Sequence, residues 1–448
     1  GMAIRYATKT GNWSDVSVWD GGSTKPTTGD TVVANNFTVT IDEDVNIGSG
    51  TIQTLAAGAA ASGGGFTLSA GFTLTANILA GTTNCVTVSA GNSTINGNCT
   101  GSAGTTSKHA VNKITTGTLT IAGNCQGGGS ASSCGVSNGG TGTINITGTI
   151  TGGSTASAFG ATNTSSGTIS VTGSASGGTV SASAYAIGNT GTGTFTLSGS
   201  LTANIGGGAN NNGSLTVGSL TNTSSGVGIL NGSTGVVTVN GNLTSGGSGN
   251  LITDSSSGSV TVNGNVTAGS GHGISVTGTS TITVNGNLIG GTSKSAISRS
   301  TANSTIIVSG DVLGGANATG YGLSNTITGG SITVGSATSS ANCAAIQMNQ
   351  TTPAPSLTVN GTITATDGFP AIIYETGTAG TVNANGNIIW SADGTIPVAC
   401  RSLSTFPKIV VHATNALTYT VAKSGGTRTL TSNAAVFASG GGRPIFGR

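Results

Sequence analysis

Carboxylates are the side chains best suited to chemistry in this sequence, and they are scarce, with eleven Asp and Glu among 448 residues. Six of them, Asp15, Asp20, Asp30, Asp42, Glu43 and Asp44, precede residue 45, and the next is Asp254. Further along, ITATDGFPAI and IWSADGTIPVA place Asp367 and Asp393 six and seven residues after a repeated glycine. If those glycines stack, the two carboxyl groups approach to about 5 Å, with Glu375 on a different arc. Carboxyls at that separation suit cleavage of a glycosidic bond. Each is also an Asp-Gly pair, which is ordinary turn chemistry, and the turn reading is preferred.

The remaining reactive side chains are dispersed. Cys85, Cys99, Cys125, Cys134, Cys343 and Cys400 show no C-x-x-C and no zinc-ligand spacing, so no metal and no cofactor is expected. Cys99 and Cys125 each stand two residues after a motif glycine, where other copies hold Ile, Leu or Val. They are expected to face each other inside as free thiols in apolar slots, within disulfide reach. His109, His272 and His412 read as loop residues at unrelated phases, with no cysteine or serine partner suggested by spacing. Asp42, Glu43 and Asp44 are contiguous rather than loop-spaced, which favours a solvated loop over a calcium site.

What must position all of these is a repeat. VVTVNGNLTSGG, SVTVNGNVTAGS and TITVNGNLIGG recur between Val236 and Gly291 with short Gly/Ser-rich inserts. Their motif glycine recurs from Gly97 to Gly386, mostly 22 to 26 residues apart, with one interval of 19 between Gly199 and Gly218. A period in the twenties indicates stacked supersecondary units. Four and two residues before the glycine stand apolar, mostly β-branched residues such as Val237 and Val239, a strand with one buried face. A second apolar column follows two residues after it, as at Leu243, and a third about nine residues later, as at Ile252. The glycines are expected at corners needing positive φ. In the 19-residue interval, IGGGANNNGS is expected to have lost the third segment and to leave a notch.

The architecture that follows is all-β: a three-faced β-solenoid of about thirteen coils, roughly 60 Å of stacked strands. Residues 1–49 form an N-terminal capping segment carrying Trp13 and Trp19, residues 50–395 the parallel β-helix, and residues 396–448 a small C-terminal β module or tail. A disordered Gly/Ser-rich chain would have no reason to hold three apolar columns in phase. Outside the core, Thr238, Thr261 and Thr283 lie three residues before the glycine. Asn240, Asn263 and Asn285 lie one residue before it, and all six are candidate binding residues. Regular hydroxyl arrays at strand spacing resemble the flat faces of ice-binding β-solenoids, although ordinary β-propensity also explains them.

Composition narrows the function. Charged residues make up 5% and the formal net charge is +2, so no basic stripe exists and no nucleic-acid partner is expected. No run of eighteen apolar residues occurs, so no membrane insertion is expected, and AIRYATKTGNW contains no apolar segment of a secretory signal.

The repeat copies, together with GNWSDVSVWDGGSTKPTTGDTVV, resemble right-handed parallel β-helix proteins of bacteriophage tails and related bacterial surface adhesins. The resemblance implies a single-stranded right-handed parallel β-helix in a virion fibre, spike or adhesin at a virion or extracellular surface. It further implies a host cell-surface glycan or protein and other virion proteins as partners, and assembly as a homotrimer. No catalytic motif of those families matches residue by residue. The expectation is a non-enzymatic structural or receptor-binding protein, with a polysaccharide-cleaving tailspike and an ice-binding solenoid as alternatives.

Overall fold

A computed structural model describes residues 2–54, 64–104, 107–349, 355–366, 368–376, 381–391, 398–400, 408–411, 418–420, 427–431, 435–439 and 443–444. The chain forms two compact units, Gly1–Gly218 with Ser225–Ile229, and Ser219–Ser224 with Leu230–Arg448. Each is a parallel β-solenoid with three strands per coil. In the repeat at its most regular these are Val236–Val239, Leu243–Thr244 and Ile252–Asp254.

Equivalent residues lie directly over one another in each unit. In the second unit Val239 pairs with Val262, Val262 with Val284 and Val284 with Val308, all buried. The second strands align Leu243, Val266 and Leu288, and the third align Ile252, Ile274, Ile297 and Leu323. In the first unit the same three stacks run through Ile121, Ile146 and Val171, through Cys125, Ile150 and Ala175, and through Val111, Val136 and Ala161. All three predicted apolar columns therefore face inward. Each fully buried Val, Leu or Ile contributes roughly 1.5–3 kcal/mol of transfer free energy, which is what holds coils this poor in charge together.

Stacking extends beyond the motif glycines. Within residues 1–49, Ile4–Tyr6 pairs in parallel with Thr31–Val33, which pairs with Val45–Gln53, and Thr38–Ile41 pairs with Gly65–Leu68. The segment expected to cap the solenoid thus enters its ladders. Its Trp13 and Trp19 are buried edge to face at 4.7 Å, with Trp19 Nε1 donating to the Trp13 carbonyl at 3.0 Å. In residues 396–448, Val398–Cys400 and Lys408–Val411 continue the parallel ladders. Thr427–Thr431 and Ala435–Ser439 then pair antiparallel with Ile388–Ser391 and Lys408–Val411, so strand direction changes there.

Two expectations are corrected. The motif glycines do not adopt positive φ; the described glycines that do are others, such as Gly71, Gly91 and Gly117. A Cβ on Gly264 would instead meet the Gly241 carbonyl oxygen at 2.5 Å, and one on Gly123 the Gly97 carbonyl oxygen at 1.9 Å. Glycine is required there because consecutive coils touch backbone to backbone. The 19-residue interval also keeps its third strand: Ala209–Asn211 pairs with Ile187–Asn189, and small Ala209 fills the apolar slot.

Candidate functional surface and buried polar column

Alternation at period two turns every residue between two core positions outward. Thr238, Thr261 and Thr283 consequently lie in one register, half-buried, and Ile307 follows them. In the first unit Thr118, Thr143, Thr168 and Thr194 form one outward rank, and Thr120, Asn145, Ser170 and Thr196 a second. Ranks lie about 7 Å apart along the strand and rungs about 4.8 Å apart along the stack.

Asn240, Asn263 and Asn285 are exposed at the strand end, and Asn285 Nδ2 donates to Asn263 Oδ1 at 2.8 Å. The asparagines one residue after the glycine form a second, unforeseen ladder. The backbone N–H of Asn265 donates to Asn242 Oδ1 at 2.8 Å, that of Asn287 to Asn265 Oδ1 at 2.9 Å, and that of Asp311 to Asn287 Oδ1 at 2.9 Å. These side chains replace backbone acceptors where the strand turns, so part of the polar surface is committed to holding coils together.

Asp367 and Asp393 lie outside the described residues, as does the side chain of Glu375 on the strand Ile372–Thr376. Asp42, Glu43 and Asp44 are each tied to a separate partner: Asp42 accepts from the Ser14 backbone N–H, Glu43 pairs with Lys25 at 2.6 Å, and Asp44 accepts from the Thr73 N–H.

The polar chemistry that sequence reasoning missed is inside. The third residue of each third strand points into the core, and in the first unit Lys113, Asn138, Asn163, Asn189 and Asn211 stack there, all buried. Asn163 Nδ2 donates to Asn189 Oδ1 at 3.1 Å, and Asn189 Nδ2 to Asn211 Oδ1 at 2.8 Å. Burial lowers the Lys113 pKa, and its ammonium donates to Thr115 Oγ1 at 3.1 Å and to the Thr116 carbonyl at 2.8 Å.

In the second unit the same slot holds Asp254, Val276, Arg299 and Asn325. Asp254 accepts from Asn231 Nδ2 at 2.9 Å, from Ser256 Oγ at 2.7 Å and from Ser280 Oγ. Arg299 donates from Nε to Asn325 Oδ1 at 2.8 Å and from Nη1 to the Ser304 carbonyl at 2.5 Å. Burial lowers its pKa to about 10, which leaves it protonated at neutral pH. The signal was present as an asparagine two residues after each third apolar column at Asn138, Asn163, Asn189, Asn211, Asn231 and Asn325. Asparagine in so glycine-rich a chain reads as a turn residue, which concealed it.

The histidines also depart from expectation. His109 and His272 share one phase, each two residues before a third strand, and each has a partner one coil on. The Cys134 backbone N–H donates to His109 Nδ1 at 3.1 Å, and the Ser295 N–H to His272 Nδ1 at 3.1 Å. Burial, aided by Lys108, lowers the His109 pKa to about 4, and burial lowers that of His272 as well. His412 lies outside the described residues. Cys99 and Cys125 are register partners, free and buried as expected. The hydrogen bond that the Cys99 thiol donates to Cys125, then burial, raises the Cys99 pKa.

Fold and surface together define a parallel β-solenoid repeat protein, whose outward strand positions carry hydroxyls and amides in register. Comparison with protein-family models, with curated proteins and with solved structures found no match.

Proposed function

We propose that this chain is a non-enzymatic surface protein, a virion fibre or spike or an adhesin, presenting its polar solenoid faces to a glycan or protein of a host cell. The observation that supports this reading is the register of outward Thr, Ser and Asn side chains, exemplified by Thr238, Thr261 and Thr283. Uncharged donors and acceptors repeated at strand spacing make many weak contacts, which add up when a partner spans several rungs. Contacts with other virion proteins and assembly as a homotrimer belong to the same reading.

Binding of the labelled full chain to a panel of bacterial cells and to immobilised glycans tests it. Retention on a subset is expected, with at least a tenfold loss in a Thr261→Lys, Thr283→Lys variant whose circular dichroism is unchanged. Retention on nothing, or equal retention of the variant, would overturn the reading.

Ice binding is a second reading, favoured by the paired ranks Thr118, Thr143, Thr168, Thr194 and Thr120, Asn145, Ser170, Thr196. It requires thermal hysteresis and faceted ice crystals from micromolar protein, and plain disc growth retires it.

A further inference from the structure

We propose that the core of the second unit holds a monovalent anion of the halide class at Arg299 and Ser304. Both residues are completely buried. The guanidinium uses Nε and Nη1 on two neutral acceptors, Asn325 Oδ1 and the Ser304 carbonyl. Among the described residues, Arg299 Nη2 and Ser304 Oγ have no hydrogen-bond partner. Leaving a buried charged donor unpaired is among the costlier defects a core can carry, so something absent from the polypeptide should fill the position.

The character of the orphans selects an anion over water. Nη2 can only donate, whereas Ser304 Oγ can donate or accept, so a water could satisfy both atoms but, being neutral, would leave the buried guanidinium without a countercharge. A halide accepts from each donor and offers none. It also supplies the missing countercharge, because among the described residues no carboxylate pairs with this guanidinium. Asp254 lies two rungs away, about 10 Å, with Val276 between. Its oxygens are already taken by Asn231, Ser256 and Ser280. Gly330, at φ +78°, lies against the group, where a Cβ would meet Arg299 Nη1 at 2.5 Å. A side chain there would press on the guanidinium.

Crystals of the full chain soaked in sodium bromide test the site directly by anomalous scattering. The expected result is one bromide peak within hydrogen-bonding distance of Arg299 Nη2; a water or no density there overturns the proposal. In solution, the unfolding midpoint should rise by about 1–3 °C for each tenfold increase in bromide, relative to gluconate at equal ionic strength. That difference should vanish in Arg299→Met and shrink in Ser304→Ala, and an undiminished difference in either folded variant counts against the site. Should neither variant fold, the bromide peak in the parent protein still decides the matter.

Discussion

His109 shows how a single residue reveals its setting through protons. Its ring accepts the Cys134 N–H as a backbone carbonyl would, which requires Nδ1 to stay unprotonated. With the folded pKa near 4 and an unfolded value near 6.5, the unfolded chain binds the extra proton between those limits. Stability contributed by this ring is therefore complete above about pH 6.5 and falls as pH drops towards 4, on the order of 3 kcal/mol in total. Urea midpoints from pH 4 to 8 should show that decline. His109→Asn, whose Oδ1 can replace the acceptor, should flatten it, leaving the smaller contribution of His272. An unchanged slope in the variant would mean that the ring is not titrating as described. The acid limb below pH 4 has another source. Burial would raise the Asp30 pKa, yet N–H donors from Thr27 and Ala3 hold it below the ordinary carboxylate value.

At the scale of the coil, glycine is a requirement of stacking distance and only occasionally of backbone conformation. Gly264 and Gly129 separate the two ideas, since neither has positive φ. A Cβ on Gly264 would lie 2.3 Å from Asn242 Oδ1 and 2.5 Å from the Gly241 oxygen, whereas one on Gly129 meets nothing nearer than 3.5 Å. Gly264→Ala should cost about 2–4 kcal/mol of unfolding free energy and Gly129→Ala less than about 1 kcal/mol, read by denaturant unfolding. Equal losses would show that flexibility of the unfolded chain, rather than coil contact, is why glycine stands at Gly264.

At the scale of the whole molecule, repetition distributes function as it distributes stability. If attachment uses the outward ladders, each rung contributes little, and replacing Thr261 alone by Ala should lower cell retention by less than about threefold. A loss from that one change as large as the tenfold expected of the double Lys variant would point to a local site instead.

Three apolar columns, the period and the three-faced parallel stack were legible in the sequence, because burying one face of a strand forces a period of two and stacking forces equivalent residues into equivalent slots. The inward role of Asn189, Asp254 and Arg299 was not legible. A polar side chain looks the same in sequence whether it faces water or completes a ladder, and only the coil above and below supplies its partners. For the same reason the motif glycines were recognised and misexplained. Close approach between residues some two dozen positions apart exists only once the coils are stacked, and that is where tertiary structure decided what the sequence left open.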